Sequence, residues 1–319
     1  MSAADQRTRV LVIRLGALGD FVLSTGPFAA IRRHHADAYV TLLTTAPFAD
    51  FARACPFFDE VWVDRRPALW QIGGWLGLRK RLRGAGFARV YDLQTSDRSG
   101  FYYRLLGPDP RPEWSGIVRG CSHPHRDPAR DHIHTIERQQ GQLADAGIAS
   151  VPPPDLSWVA ADTGRFALDG RYALLVPGGA PHRPAKRWPV ANYLALAQRL
   201  AARGTTPVVI GGPGETGIGA DIARACERAR DLTGQTSFTE IIALARDASL
   251  AVGNDTGPIH LIASAGCPSV VLFSDASDPA LTAPRAPAGA PEVTVLRRNS
   301  LAALEVDVVE RSAVKFLSG

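Results

Sequence analysis

The sequence is poor in cysteine and has no long apolar run. Its four cysteines lie far apart and show no metal-binding spacing, at Cys55, Cys121, Cys226 and Cys267. This pattern favours a reduced, cytoplasmic protein over a disulfide-bonded or zinc-binding one. No stretch of about 18 apolar residues occurs, so we expect no transmembrane helix. The N-terminal segment lacks the charged region, apolar region and cleavage site that are typical of a signal peptide.

In other respects the composition is that of an ordinary folded protein. Hydrophobic residues make up 45% of the 319 residues and charged residues 21%. These values exclude a disordered chain, a collagen-like repeat and a coiled coil. The length predicts roughly two domains. A chain of this size buries about 75% of its unfolded surface, so its core needs neither disulfides nor a structural metal.

Acidic residues are missing from one stretch of the chain. Residues 65–89 contain seven arginines and lysines and no aspartate or glutamate. Because the net charge of the whole chain is only +5, the basic character is local and the remainder is slightly acidic. A nucleic-acid-binding surface would spread its positive charge more widely, so we expect no nucleic acid among the partners.

Apolar runs alternate with segments of helical spacing along the first half of the chain. The runs are rich in β-branched residues and predict strands at residues 9–15, 39–45, 60–64 and 89–94. The segments around Phe28 and Trp75 have the spacing of amphipathic helices. Residues 108–128 are expected to be irregular, and a helix is predicted over residues 132–146. This alternation favours a parallel sheet that is covered on both faces.

Three consecutive prolines at residues 152–154 predict a linker, after which the alternation begins again. Strands are predicted at residues 172–176, 207–210, 250–253, 269–273 and, more weakly, 293–297. Helices are predicted at residues 190–203, 215–228, 238–247 and 258–265. We therefore expect an α/β protein of two Rossmann-like domains, residues 1–156 and 157–319, that face a cleft. The final amphipathic segment, residues 301–317, could pack on either domain, including back on the first.

Ligands of such sheets bind beyond the carboxyl ends of the strands, so the loops there are the candidate sites. The loop at residues 15–20 ends in Asp20, where a helix is predicted to begin. Asp20 suits two functions at this place. It could cap the helix by accepting hydrogen bonds from free N–H groups, or it could act as a general base. The loop alone does not decide between them.

The loop at residues 177–189 has the features of an anion site. Gly178 and Gly179 are expected to expose backbone N–H groups, and Lys186 and Arg187 supply positive charge before a helix. Backbone donors and cations at the start of a helix are typical of phosphate sites. A solvated basic loop is the alternative interpretation of the same residues.

A second candidate anion site lies at residues 252–260. Asp255 and Thr256 offer capping oxygens where a strand gives way to a helix. The N–H groups of Thr256 and Gly257 would then point into the cleft with the helix dipole behind them. His260 falls one turn inside the helix, where a lone histidine is more often structural than catalytic.

The glycines of residues 212–217 match the dinucleotide fingerprint Gly-x-Gly-x-x-Gly. They follow the second strand of their domain, however, and no strand that ends in an acidic residue comes at the expected distance. A nicotinamide-dependent oxidoreductase is therefore one alternative function, and a plain turn is the simpler interpretation.

Four histidines lie close together, at His123, His125, His132 and His134. The first two fall in a loop rich in proline and arginine, and the other two begin a predicted helix. Residues two apart on a helix do not share a face. We therefore expect no metal site, although histidine is a common metal ligand.

Several segments together carry a family resemblance. They are VLVIRLGALGDFVLSTGPFAAIRR at the start, YDLQTSDRS late in the first domain, and KRWP, VVIGGPGE and GNDTGPIH in that order in the second. In this combination the sequence resembles the family-nine glycosyltransferases, the heptosyltransferase family of bacterial lipopolysaccharide synthesis. The resemblance covers nearly the whole chain.

The resemblance implies a glycosyltransferase-B fold, with the acceptor on the first domain and the nucleotide-sugar on the second. It also implies inverting, metal-independent transfer of a heptose-type sugar from a donor such as ADP-heptose to a lipopolysaccharide core or related glycan, without a cofactor. Asp20 matches the proposed base of the family. The residues expected at the donor phosphates, from the resemblance and from the loops above, are Gly179, Lys186, Arg187, Asp255, Thr256, Gly257 and His260.

The basic segment at residues 65–89 then has two interpretations. It is an ordinary amphipathic helix, or it is a surface that approaches the inner face of the inner membrane, where a lipid-anchored acceptor would lie. In the second case the protein is cytoplasmic and peripheral, and the cations at the acceptor or membrane are Arg79, Lys80, Arg81 and Arg83. A catalytically inactive relative remains a further alternative, against which the presence of Asp20 and Lys186 argues.

Overall fold

The computed structural model describes residues 7–107 and 111–317. The chain divides into two compact units between Pro153 and Pro154, inside the predicted linker. The N-terminal six residues, and the first three of the stretch that was expected to be irregular, lie outside the described residues. Each unit is built on a parallel sheet of six strands. Among the described helices, none is long and apolar enough to cross a membrane.

The sheet of the first unit has the strand order β3-β2-β1-β4-β5-β6. Its strands are β1 Arg9–Ile13, β2 Tyr39–Thr45, β3 Glu60–Asp64, β4 Arg89–Asp92, β5 Glu113–Gly116 and β6 His123–Pro124. The helices of this unit are α1 Leu18–Leu23, α2 Thr25–His34, α3 Ala49–Ala54, α4 Ile72–Gly84, α5 Asp97–Leu106 and α6 Thr135–Asp145. The apolar run of β1 lies between two neighbouring strands and is fully buried, as expected of a sheet covered on both faces.

The stretch that was expected to be irregular contains two short strands, β5 and β6, so that expectation is wrong in part. Trp114 of β5 is buried, and its ring meets Tyr103 of α5 at a centroid distance of 5.2 Å. Short strands near the edge of a sheet tolerate proline and polar residues. Such residues give no recognisable strand pattern in the sequence. Helix α6 also begins later than predicted, because His134 caps it by accepting a hydrogen bond from the Ile136 N–H at 3.2 Å.

The sheet of the second unit has the strand order β12-β11-β10-β7-β8-β9. Its strands are β7 Tyr172–Val176, β8 Thr206–Val209, β9 Arg230–Asp231, β10 Leu250–Asn254, β11 Ser269–Phe273 and β12 Thr294–Arg297. The helices are α7 Val190–Ala202, α8 Thr216–Ala225, α9 Phe238–Asp247, α10 Gly257–Ser264, α11 Pro279–Thr282 and α12 Val306–Val314. The central strands β7 and β10 are entirely buried.

Helix α12 packs against α7, β10 and β11 of the second unit. Val309 and Ala313 of this helix are fully buried in a core cluster with Leu196 and Leu200 of α7. The apolar face of the final helix is therefore covered within its own unit.

Candidate functional site

Asp20 lies in the first turn of α1, the helix that follows the loop after β1. Its Oδ2 accepts a hydrogen bond from the Ala17 N–H at 3.3 Å, and its Oδ1 lies 3.2 Å from Nη2 of Arg14. The N-cap residue itself is Ala17, so Asp20 supports the start of the helix from within the first turn. Because 38% of its side chain is exposed, the carboxylate is also accessible to a ligand. The two functions that the sequence left open are thus compatible.

Arg14 is the buried partner of Asp20. It follows β1, only 4% of it is exposed, and its Nη1 donates a hydrogen bond to the backbone oxygen of Leu93. Burial lowers the pKa of this guanidinium, and the charge of Asp20 partly offsets that effect. Sequence reasoning did not select Arg14. The signal that could have found it is a single charge inside the run of otherwise apolar residues that leads into the loop.

Asp92 ends β4, the strand beside β1, and is almost fully buried. Burial raises the pKa of this carboxyl to about 6, although the Thr95 N–H donates a hydrogen bond to its Oδ1 at 2.9 Å. The next loop is tied to β1 as well, because Oε1 of Gln94 accepts a hydrogen bond from the Leu15 N–H at 2.8 Å. The carboxyl ends of β1 and β4 therefore form one connected polar region.

A cavity of about 240 Å³ opens onto this region. Arginine and amide side chains dominate its lining, which includes Arg14, Asp20, Gln94, Arg130, Arg138 and Gln142. Arg130 and Arg138 come from α6 and the turn before it, far along the chain from Asp20. We call this feature the arginine-lined cavity. Sequence reasoning missed both residues, because nothing in the local pattern places them near β1.

In the second unit, Asp255 follows β10 and is the centre of a polar cluster. Its Oδ2 accepts hydrogen bonds from Nζ of Lys186 at 2.6 Å and from Oγ of Ser277 at 2.7 Å. Nε2 of His260 lies 3.6 Å from its Oδ1. Burial alone would raise the pKa of Asp255, but these three neighbours outweigh burial and lower it to about 2. The structure thus brings together three of the predicted donor-site residues, and Ser277 is added to them.

Asn254 holds the two predicted anion loops together. Its Nδ2 donates hydrogen bonds to the backbone oxygens of Pro177 at 2.8 Å and Gly178 at 3.1 Å. Its Oδ1 accepts from the Trp188 N–H at 3.0 Å and from the hydroxyl of Tyr193 at 3.1 Å. The side chain is fully buried and all of these bonds lie within the second unit. Sequence reasoning passed over Asn254, although it stands next to Asp255.

The loop around Gly179 is more closed than predicted. Gly179 is buried, and its N–H faces Oε1 of Glu215 at 3.4 Å. A Cβ atom on the neighbouring Gly178 would stand 2.7 Å from the Glu215 carboxyl carbon, so a larger residue there would displace the Glu215 side chain. Nη2 of Arg187 donates to the backbone oxygen of Gly179. The expectation of an open Gly179 amide is therefore wrong, because Glu215 reaches back to it.

Thr256 and Gly257 form the start of α10, as predicted. Thr256 is the N-cap residue, but its side chain makes no capping bond. Its Oγ1 donates instead to the backbone oxygen of Asn254 at 3.3 Å. Gly257 is the first helical residue. The first turn of a helix carries free N–H groups and the positive end of its dipole, so this end of α10 suits an anion. Lys186 and Asp255 lie next to it in the same cluster.

The glycine-rich loop at residues 212–217 is filled by its own carboxylate. Oε2 of Glu215 accepts a hydrogen bond from the Gly212 N–H at 2.6 Å. A dinucleotide diphosphate would need that donor and would meet a negative charge there. This arrangement disfavours the nicotinamide alternative.

Three of the four histidines have different surroundings. Nδ1 of His125 pairs with Asp145 at 2.8 Å, His134 caps α6, and His132 is exposed. Across residues 7–107 and 111–317, no three His, Cys, Asp or Glu side chains are grouped so that they could hold a metal ion.

The basic segment forms α4 and the turn before it. Arg79 donates from Nε to the Leu105 oxygen at 3.0 Å, and Arg83 donates to the Leu106 oxygen, so both cations lie at the carboxyl end of α5. Arg81 stacks on the ring of Trp62 at 3.9 Å, and Lys80 is exposed. Three of the four cations assigned to the acceptor or membrane side therefore have contacts inside the unit.

The same segment exposes large apolar side chains that the amphipathic-helix interpretation would place in the core. Leu69 is 86% exposed and Trp70 82% exposed, and Ile72 and Leu76 are also exposed. Leu82, in contrast, is buried in the core. The simple amphipathic-helix interpretation therefore holds for only part of the segment.

Comparison with known proteins assigns the chain to a family. The sequence profile of glycosyltransferase family 9 (heptosyltransferase) matches residues 75–305. Lipopolysaccharide heptosyltransferase 2 of Escherichia coli (strain K12) is 25% identical over 290 residues, which cover 84% of this chain and 83% of that protein. The resemblance carried by the sequence motifs is thereby confirmed.

Solved structures have the same fold. E. coli ADP-heptose LPS heptosyltransferase II has a TM-score of 0.78 at 22% identity, and the match covers 96% of this chain and 97% of that one. E. coli heptosyltransferase WaaC with ADP-2-deoxy-2-fluoro heptose has a TM-score of 0.73 at 19% identity, covering 95% and 98%. The predicted fold class, two Rossmann-like domains of the glycosyltransferase-B type, is confirmed. Since the family profile matches well over half of its length, the chain belongs to glycosyltransferase family 9 and is a glycosyltransferase.

Proposed function

We propose that this enzyme transfers a heptose-type sugar from ADP-heptose to a lipopolysaccharide core or related glycan acceptor, with inversion and without a metal or cofactor. Family membership supports the sugar transfer, and the relative named above is a lipopolysaccharide heptosyltransferase. The observation that carries the proposal is the contact of Lys186 with Asp255 at 2.6 Å, beside the start of α10.

The donor half of the proposal concerns the leaving diphosphate. When the bond between the sugar C1 and the phosphate oxygen breaks, negative charge grows on the diphosphate. The Lys186 ammonium and the N–H groups of the first turn of α10 stabilise that charge. Asp255 orients Lys186 and leaves the other ammonium hydrogens for the phosphates. These cationic and dipolar groups do the work that a divalent ion does in metal-dependent transferases.

The acceptor half of the proposal assigns the base to Asp20. The carboxylate accepts the proton of the acceptor hydroxyl as its oxygen attacks C1 from the face opposite the diphosphate, which inverts the configuration. Arg14, 3.2 Å from Oδ1, fixes the orientation of the carboxylate.

The proposal is tested with the purified enzyme and lipopolysaccharide from a heptose-free strain. Separate reactions contain ADP-heptose, ADP-glucose or UDP-glucose, and mass spectrometry measures the product. We expect a mass increase of one heptose with ADP-heptose only, and the same yield in EDTA. Transfer from another donor would contradict the assigned sugar, and activity lost in EDTA and restored by magnesium would contradict the metal-free mechanism. No transfer at all would favour an inactive relative.

We also propose that the enzyme is cytoplasmic and binds the inner face of the inner membrane through residues 69–76. The support is the exposure of Leu69, Trp70, Ile72 and Leu76 next to the exposed cation Lys80. Apolar side chains next to cations are typical of segments that lie in the headgroup region of an anionic bilayer. Because Arg79 and Arg83 are bonded to the end of α5, the apolar side chains carry this proposal rather than those two arginines.

A further inference from the structure

A groove runs between helix α4 and the end of strand β3. Its volume is about 640 Å³, within the roughly 300–1,000 Å³ of small-molecule sites. One wall comes from the end of β3 and the loop after it, and the other is one face of α4; the lining includes Val63, Pro67, Gly73, Gly74, Gly77 and Leu78. We call this feature the glycine groove. Its lining residues are distinct from those of the arginine-lined cavity.

Packing within the unit accounts for only one of the three glycines of α4 that line the groove. A Cβ atom on Gly74 would stand 2.8 Å from Cβ of Pro67, so a larger residue there would press on the opposite wall. A Cβ atom on Gly73 or Gly77 would meet nothing within 4 Å. Glycine destabilises a helix relative to alanine. Helix α4 therefore leaves space open along this face at a cost to its own stability.

Two cations line the groove without a carboxylate partner. Arg65 and Arg81 are exposed, and across the described residues neither has a carboxylate oxygen within 4.0 Å. Burial lowers the pKa of Arg81, and the charge of Arg65 lowers it further, although Glu60 partly offsets both effects. The carboxylate that lines the groove, Asp64, is buried, and its Oδ2 lies 3.3 Å from Nε of Arg98. The groove therefore has a net positive charge that suits an anion.

Apolar side chains border the groove. Leu69, Trp70, Ile72 and Leu76 are exposed, and they alternate along the chain with the residues that line it. Exposed apolar side chains in one segment indicate a contact surface. A free phosphate or a sugar would use only the two arginines. An amphiphile with a phosphate and an acyl chain would use the cations, the open face of α4 and the apolar border together.

We propose that the glycine groove binds one anionic phospholipid of the membrane, with its phosphate at Arg65 and Arg81 and part of one acyl chain along the glycine face of α4. This inference rests on the proposed membrane binding of residues 69–76 and gives that contact a specific lipid partner. Guanidinium groups bind phosphate through charge-assisted hydrogen bonds. The chain contributes through the burial of its CH₂ groups.

The test uses lipid monomers, so that it does not depend on a bilayer. The full-length enzyme is titrated with dihexanoyl-phosphatidylglycerol, dihexanoyl-phosphatidylcholine and sn-glycerol 3-phosphate, with each lipid below its critical micelle concentration. Ligand-observed NMR gives the dissociation constants. We expect the phosphatidylglycerol to bind about tenfold more tightly than the zwitterionic lipid, because it keeps a net negative charge. It should bind about a hundredfold more tightly than glycerol phosphate, which has no chain to bury.

Two variants locate the lipid. Gly77→Leu fills the groove and should weaken the phosphatidylglycerol about tenfold or more, and it should fold because leucine favours a helix. Gly84→Leu is the matched control: Gly84 belongs to the same helix, a Cβ atom there also meets nothing within 4 Å, and it does not line the groove. Arg81→Gln should remove the preference for phosphatidylglycerol over phosphatidylcholine. Thermal unfolding of each variant checks that it is folded.

Three results would overturn the inference: equal binding of the two lipids, equal binding of phosphatidylglycerol and glycerol phosphate, or equal binding by Gly77→Leu and Gly84→Leu. If Gly77→Leu weakens the acceptor lipopolysaccharide in detergent micelles as much as the phosphatidylglycerol, the groove holds the lipid of the acceptor and the phospholipid assignment is wrong.

The same measurements separate this inference from the proposed membrane binding. If the lipid monomers bind as expected but the wild type does not sediment with anionic vesicles, the membrane proposal fails and the groove stands. If the wild type sediments with vesicles but binds no lipid monomer, the groove fails and the membrane proposal stands.

Discussion

At the scale of single residues, the buried polar groups are concentrated at the carboxyl ends of the central strands. Arg14 follows β1, Asp92 ends β4, Asn254 ends β10 and Asp255 follows it. Burying such groups is costly unless they are hydrogen-bonded or paired, and each has at least one partner. In open parallel sheets ligands bind at these positions. The buried polar groups that are costly for stability therefore lie at the candidate sites.

The first prediction concerns Lys186. Lys186→Ala should raise the dissociation constant of ADP-heptose about tenfold to a hundredfold, the range expected for one charge-assisted contact. It should also slow the chemical step, because the phosphate charge grows as the bond breaks. Calorimetric titration and single-turnover kinetics measure the two effects. Lys315→Ala, which removes an exposed lysine of the same unit, is the control, and equal behaviour of the two variants would remove Lys186 from the donor site.

The second prediction concerns pH and Asp92. Burial raises the pKa of Asp92 to about 6, so the folded state binds its proton more tightly than the unfolded state does. This group therefore makes the wild type less stable as the pH rises from about 4 to 6. Asp92→Asn cannot ionise, so its free energy of unfolding relative to wild type should rise by about 2–3 kcal/mol between pH 4 and pH 7.

Urea unfolding at several pH values measures this difference. The control is Asp37→Asn, which removes an exposed aspartate of the same unit. A difference for Asp92→Asn that does not change with pH would mean that burial does not raise the pKa of Asp92.

Local sequence was sufficient to predict the position of site residues that lie in or just after a recognisable loop. Asp20, Lys186, Asp255 and His260 follow strands as predicted, and the last three meet in one cluster. Arg130 and Arg138 could not be predicted in this way. They reach the cavity beside Asp20 only through the placement of α6 and the turn before it, which depends on tertiary packing.

At the scale of elements, Asn254 joins two loops that are separate in sequence. Asn254→Ala should lower the free energy of unfolding of the second unit by about 2–4 kcal/mol, because it leaves buried donors and acceptors unpaired. Asn254→Asp should not restore the free energy of unfolding, because a carboxylate oxygen would replace the amide N–H₂ that donates to the carbonyls of Pro177 and Gly178. Donor affinity should fall in both variants, because both loops lose their alignment.

Urea unfolding and donor titration test this prediction together. Asn299→Ala changes an exposed asparagine of the same unit and is the control. If Asn254→Asp is as stable as wild type, the hydrogen bonds to the two carbonyls are not what aligns the loops.

Elements with a strong apolar pattern were predicted within one or two residues, among them β2, β3, β7, β11 and α9. Elements that depend on long-range pairing were not. Strand β5 has only four residues and is recognisable through the packing of Trp114, and β9 has two residues. Helix α4 was expected. The exposure of its first turns was not, because it depends on whether other elements of the unit pack against them.

At the scale of the whole molecule, membrane binding is the property most easily separated from catalysis. Replacing Leu69, Trp70, Ile72 and Leu76 together with serine should weaken sedimentation with vesicles of phosphatidylethanolamine and phosphatidylglycerol by about a hundredfold or more, given the apolar area removed. Lys80→Glu should weaken binding at low salt only. Transfer to a short soluble acceptor should be unaffected.

The control for the membrane prediction is Ile117→Ser, which removes another exposed apolar side chain of the first unit. Unchanged vesicle binding by the fourfold variant would contradict the proposal that residues 69–76 contact the membrane. Binding lost equally in Ile117→Ser would mean that general surface hydrophobicity, rather than this segment, is responsible.

The whole-molecule account assigns the base to the first unit and the donor phosphates to the second, and Asp20→Asn tests it most directly. Single-turnover transfer from ADP-heptose and the dissociation constant of ADP-heptose are measured on one preparation, with Asp50→Asn, an exposed aspartate of the same unit, as control. The account predicts a loss of transfer of about 10²–10⁴-fold, as expected for a general base, with donor affinity within a few-fold of wild type. Transfer by Asp20→Asn at the rate of Asp50→Asn would contradict it and leave Asp20 as a support for helix α1 alone.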